Sequence, residues 1–291
     1  MDHVLAIDIG GTKLAAGVVD ASGSLVARAQ APTEGSDGEA LFAVLADLVD
    51  RVRTASDVGV AACGVGCGGP MARNGATVSP LNIAQWRQFP LSDRLVDLLG
   101  LPVWVDNDAK ALALGEGWVG AAAGRTDYVS MVVSTGVGGG IVLDGRLLDG
   151  SSGNAGHIGH ITAVPGGRLC ACGARGCLEA EASGTAIAAI TGAPAVEAPP
   201  EVKARTGTLV GRVVGSVANL LDLRLAVVSG SVALGYGTSF FAAAQAEIDR
   251  TALLDFSTGT SIVPGELGDA GPLVGAGAVA WRGLGLDVGV R

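Results

Sequence analysis

One layout of strands occurs twice in this chain, and it restricts the fold more than any other feature. An apolar run at 4–7 leads into the glycine turn Asp8-Ile9-Gly10-Gly11-Thr12-Lys13. A second apolar run follows at 16–19, then a turn at 20–23 and a third run at 25–28. From residue 129 the order returns: apolar 129–133, glycine-rich 134–140, apolar 141–143, the hairpin signal Asp144-Gly145, and 146–148. Such a chain is expected to fold as two matching halves that grip a ligand between them. The intervening sequence has helical spacing at 38–53, through Leu41, Val44, Leu45, Leu48 and Val49. Further helices are predicted at 91–99, 109–119, 183–190, 209–221, 240–254 and 272–281, and strands at 58–62, 102–105, 225–228 and 261–263. The segments 78–86 and 191–206 read as loops, the second because it holds Pro194, Pro199 and Pro200. Strands that alternate with helices predict an α/β architecture.

Length and charge narrow the partners. A chain of 291 residues holds one large or two modest domains with a substantial core. A net charge of -9 argues against nucleic acid, because the clustered Lys and Arg that grip a phosphate backbone are absent. Residues 1–7 form a short apolar strand without a basic leader region, and no apolar run approaches the roughly 20 residues of a membrane span. A cytoplasmic protein is expected, with Cys63 and Cys67 as buried thiols and not a disulfide.

The window 156–179 holds two of the three histidines and three of the five cysteines. Cys170, Cys172 and Cys177 with one imidazole match the closed tetrahedral shell of a structural zinc ion, and Gly173 and Gly176 permit the turn that returns Cys177 to it. Spacing allows either His157 or His160 as the fourth ligand. A full shell leaves zinc no open position, so the ion is read as a clip that holds its neighbours, chiefly Glu179 and the histidine pair.

The two glycine-rich turns are candidates for a polyanion cradle, because bare backbone amides can approach phosphate oxygens there. Neither matches the P-loop or the dinucleotide fingerprint. Together, with the hydroxyls of Thr12, Ser134 and Thr135 and the lysine at 13 beside Gly10, Gly11 and Gly136, they are expected to hold nucleotide phosphates. Asp8 beside them suits magnesium held through water. Asp106-Asn107-Asp108 stands where a strand ends and a helix begins, the place where open α/β sheets bind ligands. One aspartate is expected to cap the helix, and the other to take a proton from an attacking hydroxyl.

The Asp8–Lys13 turn, Asn107-Asp108, the run 134–140, Gly156 to His160 and the Cys-Gly-x-x-Gly-Cys-x-Glu element ending at Glu179 stand in the order and spacing of the ROK kinases, which the chain resembles over nearly its whole length. That resemblance implies an actin-like, ribonuclease-H-like fold whose two domains close over ATP and a sugar. The division implied is 1–106 joined by about 273–291, and 107–272 with the zinc site. It also implies that Asp108 is the base acting on the 6-hydroxyl of a hexose, glucose or an N-acetylmannosamine-like sugar, with Asn107 binding the sugar beside it. His160 would complete the zinc shell and turn its other ring nitrogen toward the sugar, and Glu179 would accept from a hydroxyl near C1 or C2. His157 stands where the family's glucokinases usually carry Glu, as it does in bacterial N-acetylmannosamine kinases. Gly230, in Ser229-Gly230-Ser231, corresponds to the adenosine-side turn. A homodimer using ATP, magnesium and structural zinc is expected. The family's repressors carry a DNA-binding element ahead of the first strand, which here begins at Val4, and a silent sugar-sensing protein is not expected to keep Asp108.

Overall fold

In the computed structural model, which describes residues 2–291, the repeated layout becomes a repeated topology. Met1 of the expected first strand lies outside these residues. The first half opens with β1 (His3–Ile9), β2 (Lys13–Asp20) and β3 (Leu25–Pro32), then adds β4 (Cys63–Cys67) and β5 (Val103–Asn107). The second has β6 (Tyr128–Val133), β7 (Val137–Leu143), β8 (Arg146–Leu147), β9 (Leu225–Ser229) and β10 (Ser261–Pro264). The sheet orders are β3-β2-β1-β4-β5 and β8-β7-β6-β9-β10. In each, the first three strands form an antiparallel meander, and the fourth and fifth lie parallel to the first. The duplicated hairpins are therefore equivalent elements of two sheets with one plan.

Local chemistry explains most elements. β1 is a continuous apolar run because it is central and covered on both faces, whereas the edge strand β3 alternates. Helix α1 (Gly38–Ser56) begins at Asp37, whose carboxylate accepts from the Ala40 N–H at 2.8 Å, and lays Leu41, Leu45, Leu48 and Val52 into the first core. Helix α2 (Leu91–Leu99) follows β4, and helix α3 (Asp108–Val119) follows β5. In the second half α4 (Leu178–Ala182), α5 (Gly184–Thr191), α6 (Pro200–Leu221), α7 (Ser231–Tyr236), α8 (Thr238–Thr251) and α9 (Gly271–Gly283) complete the chain.

Three expectations are corrected. The buried strand is β4, not 58–62: the glycine-rich Cys63-Gly64-Val65-Gly66-Cys67 lies between β1 and β5, and Gly64 gives α9 room to pack against it. The run 134–140 is a turn only at 134–136, because Gly138, Gly139 and Gly140 belong to β7; a Cβ at Gly140 would lie 2.6 Å from that of Ala113 on α3. Within 191–206, α6 already starts at Pro200, since proline is compatible with a helix's first turn.

Helices α3 and α9 pack between the halves, where a shared core joins Val4, Ala6 and Val19 of one sheet to Tyr128, Val142 and Val227 of the other. Their backbones approach closely at Gly275, where a Cβ would lie 2.5 Å from the Ala111 carbonyl oxygen. Trp281 of α9 donates its indole N–H to the Asp20 carbonyl at 3.0 Å, which ties the last helix to the β2–β3 turn. Among the described residues no helix is long and apolar enough to cross a membrane.

Candidate functional site

The carboxyl ends of β1, β4 and β5 point at the second sheet across a cleft of about 320 Å³. The two equivalent hairpin turns form opposite lips. In the first, the Gly10 N–H donates to Lys13 O at 3.0 Å, and the Thr33 hydroxyl holds Gly10 O at 2.7 Å. In the second, the Ser134 N–H donates to Gly136 O at 2.9 Å, and the N–H of Gly184 holds Ser134 O at 2.7 Å. Asp8, Gly10 to Lys13, Asn107, Asp108, Ser134 to Gly136, His157, His160 and Glu179 all line this one cleft. Gly230 does not. It begins α7 with φ 100° against the Val133 backbone, and the turn touches the second lip through the 3.0 Å contact between the Ser231 and Ser134 hydroxyls.

Two carboxylates stand deep in the cleft. Burial, the charge of Asp108 and, in opposition, Lys13 leave the Asp8 pKa raised to about 7. Asp108 is also raised, chiefly by burial and further by Glu179, although the Ala109 N–H, 2.8 Å away, lowers it. The helix cap, expected of an aspartate, is instead Asn107: its Oδ1 accepts from Ala109 N at 3.1 Å and Lys110 N at 3.4 Å. That leaves its Nδ2 as a donor. Asp106 faces away from the cleft and pairs with the buried Lys110 at 2.8 Å. Two crowded, half-buried carboxylates flanked by phosphate-sized turns suit a divalent cation at Asp8, which would relieve their repulsion.

On the sugar-expected side, Glu179 Oε2 accepts from Val137 N at 2.9 Å, which fixes the carboxylate to the end of the second lip. The His157 pKa is lowered by burial and by His160, with Glu179 in opposition; a neutral imidazole offers one donor and one acceptor. A Cβ at Gly69 would fall 3.1 Å from His157 Cε1 and 3.4 Å from Asn107 Nδ2, so this glycine gives both groups space.

Behind this wall His160, Cys170, Cys172 and Cys177 bring one ligand atom each within 4.8 Å of one another; His157 is not among them. Zinc–ligand bonds of about 2.3 Å to sulfur and about 2.0 Å to nitrogen place tetrahedral S···S pairs about 3.7 Å apart and S···N pairs about 3.5 Å apart. Cys172 and Cys177 are 3.7 Å apart, and Cys170 lies 3.6 Å from His160 Nδ1, so the residues fit zinc. Gly173 and Gly176 take left-handed φ values of 92° and 75°, as the return of Cys177 requires. Glu181, which sequence reasoning passed over, ties this loop down: it accepts from Arg168 N at 2.7 Å and pairs with Arg205 on α6 at 2.6 Å.

Sequence reasoning also missed Gly69 and Asn82, both of which line the cleft. Each sits among turn residues, where glycine and asparagine are common for backbone reasons alone, so no local signal marks them.

The ROK family pattern matches residues 4–282. Over 252 residues the chain is 40% identical to an N-acetylmannosamine kinase of Citrobacter koseri, covering 80% of this chain and 84% of that one. A ROK family glucokinase from Streptomyces griseus, solved with glucose and AMPPNP, superposes with a TM-score of 0.85 at 30% identity over 96% of this chain and 99% of the other. The ROK hexokinase from Thermus thermophilus gives 0.84 at 32% identity, covering 97% and 99%. With this match, the doubled sheet and the cleft between its halves, the chain belongs to the ROK family and has its actin-like ATPase fold.

Proposed function

We propose that the protein is an ATP-dependent sugar kinase that moves the γ-phosphoryl group to the 6-hydroxyl of a hexose, with N-acetylmannosamine as the preferred sugar. One observation carries this reading: Asp108, a half-buried carboxylate with a raised pKa, lies in the same cleft as both glycine turns and the group Asn107, His157 and Glu179. Phosphoryl transfer asks a protein mainly for alignment, charge neutralisation and one oriented base, and a carboxylate raised toward neutrality is suited to that last role.

The chain's own groups divide the work. Asp108 takes the proton of the attacking hydroxyl. Asn107, its oxygen spent on the helix cap, donates Nδ2 to a sugar oxygen. Glu179, with Oε2 bound to Val137 N, presents its other oxygen to a hydroxyl near C1 or C2. His157, where a glutamate would only accept, supplies a donor as well when neutral, which suits the carbonyl of an N-acetyl neighbour. The amides of Gly10 to Thr12 and Ser134 to Gly136 receive the phosphates, with Lys13 beside them. Magnesium, when bound near Asp8, supplies positive charge against the phosphates. His160, Cys170, Cys172 and Cys177 would hold zinc, which would supply rigidity and no reactive position. The same reading hinges 107–272 against 1–106 joined by about 273–291, in a cytoplasmic homodimer.

The name and 40% identity of the Citrobacter koseri relative support the sugar assignment. The test is ADP release across N-acetylmannosamine, glucose, mannose, fructose and N-acetylglucosamine. The highest kcat/KM is expected for N-acetylmannosamine; turnover confined to glucose would overturn the sugar assignment. Asp108→Asn is expected to lower turnover by roughly a hundredfold or more while sugar binding by calorimetry stays near wild type. Full activity in that variant would show that the base is elsewhere.

A further inference from the structure

The segment between β4 and α2 is long and turn-rich, yet it is pinned at almost every point. One Arg87 guanidinium nitrogen donates to the carbonyls of Pro80 at 3.0 Å, Ile83 at 2.6 Å and Trp86 at 2.7 Å. Trp86 is fully buried, stacks on Phe89 with ring centres 4.6 Å apart, and donates to Gly38 O at 3.0 Å. The Leu81 N–H reaches Gly69 O at 3.2 Å. Asn82 stands at the tip of this framework, exposed in the cleft, and among the described residues its side chain takes no hydrogen-bond partner.

Its position is specific. A Cβ at Gly11 would lie 2.7 Å from Asn82 Cβ, and a Cβ at Gly136 would lie 4.0 Å from Asn82 Nδ2. Gly11 is in the β1–β2 turn and Gly136 in the β6–β7 turn, the equivalent hairpins of the two sheets. The unpaired amide thus stands between both lips, on a loop too well tied to swing away. Donors held in place before reaction contribute most when aimed at the atom where charge develops.

We propose that Asn82 donates its side-chain amide to an oxygen of the phosphoryl group in flight, bridging the two glycine turns at the moment of transfer. This rests on the kinase reading above. Its test uses the full chain with MgATP and the sugar that the wild type turns over best. Asn82→Ala is expected to lower kcat by about a hundredfold, in the range for loss of one such donor. Sugar affinity measured without nucleotide should stay within about twofold of wild type, because the contact is to phosphate. Asn82→Asp keeps the shape but turns a carboxylate toward the phosphates, so its loss should exceed that of the alanine variant; it also carries the test should alanine lower the melting temperature. Wild-type kcat in either variant overturns the proposal, as does an equal loss of sugar affinity without nucleotide, which would place the contact on the sugar. A wild-type protein that releases no ADP with any of the five sugars overturns the kinase reading and this inference with it. Wild-type turnover retained in Asn82→Ala overturns this inference alone.

Discussion

Asp8 shows at the scale of a single residue how stability is exchanged for chemistry. Its carboxyl, held at about 7 against the ordinary 3.8, binds a proton in the folded protein that an unfolded chain would already have lost between these pH values. Its contribution to stability is therefore fully present only below about 4 and is lost progressively as pH rises from there through 7, where the charge faces Asp108. Asp8→Asn removes that charge and is expected to raise the melting temperature of the nucleotide-free protein at pH 8, by the equivalent of about 1–3 kcal/mol, with a smaller gain at pH 5. The same variant should lose most kinase activity. Thermal scans at the two pH values check the first effect and ADP release the second; a variant less stable than wild type at pH 8 would contradict the account. That an acidic residue belonged beside the first glycine turn was legible in the sequence. Its raised pKa was not, because the shift comes from burial and from Asp108, a residue 100 positions away.

Among the elements, the zinc loop was the most legible, because ligand chemistry leaves few alternatives for three cysteines and a histidine so close together. The sequence left His157 and His160 open, and only the short helical turn at Ile158–His160 directs one ring toward the sulfurs. Cys172→Ser is expected to abolish stoichiometric zinc in metal analysis, and hydrogen exchange should quicken in the loop and in α4, which carries Glu179 two residues after Cys177. Retained zinc would contradict the ligand set. Elements misread from sequence share one cause. β4 and the Gly138 to Gly140 stretch of β7 are glycine-rich where a helix lies against the sheet, so residues that signal turns locally were selected by a neighbour distant in sequence. Pro200 misled for the opposite reason, since a residue that breaks a helix interior is at home in its first turn.

In the molecule as a whole, the halves are joined by more than α3 and α9. Lys110, buried on α3, reaches Asp106 of β5 at 2.8 Å and Asp149 beyond β8 at 2.7 Å, and Asn154 bonds both the N–H and the carbonyl of Met71. Lys110→Met removes the charge that both carboxylates face and is expected to cost about 3 kcal/mol in urea unfolding, because Asp106 is left buried with Arg282 at 3.6 Å and the Asn107 N–H at 2.8 Å as its remaining partners among the described residues. A change below about 1 kcal/mol would show that the pair is dispensable. The sequence by itself determined the two-fold repeat, the α/β class and the grouping of three cysteines with a histidine, because each depends on local spacing and side-chain type. Tertiary structure alone decided which imidazole meets the sulfurs, that Asn107 caps the helix, that Gly230 stays outside the cleft and that Asn82 stands within it. Those outcomes depend on which strand ends converge and how closely backbones approach, and both are set by packing between segments far apart in the chain.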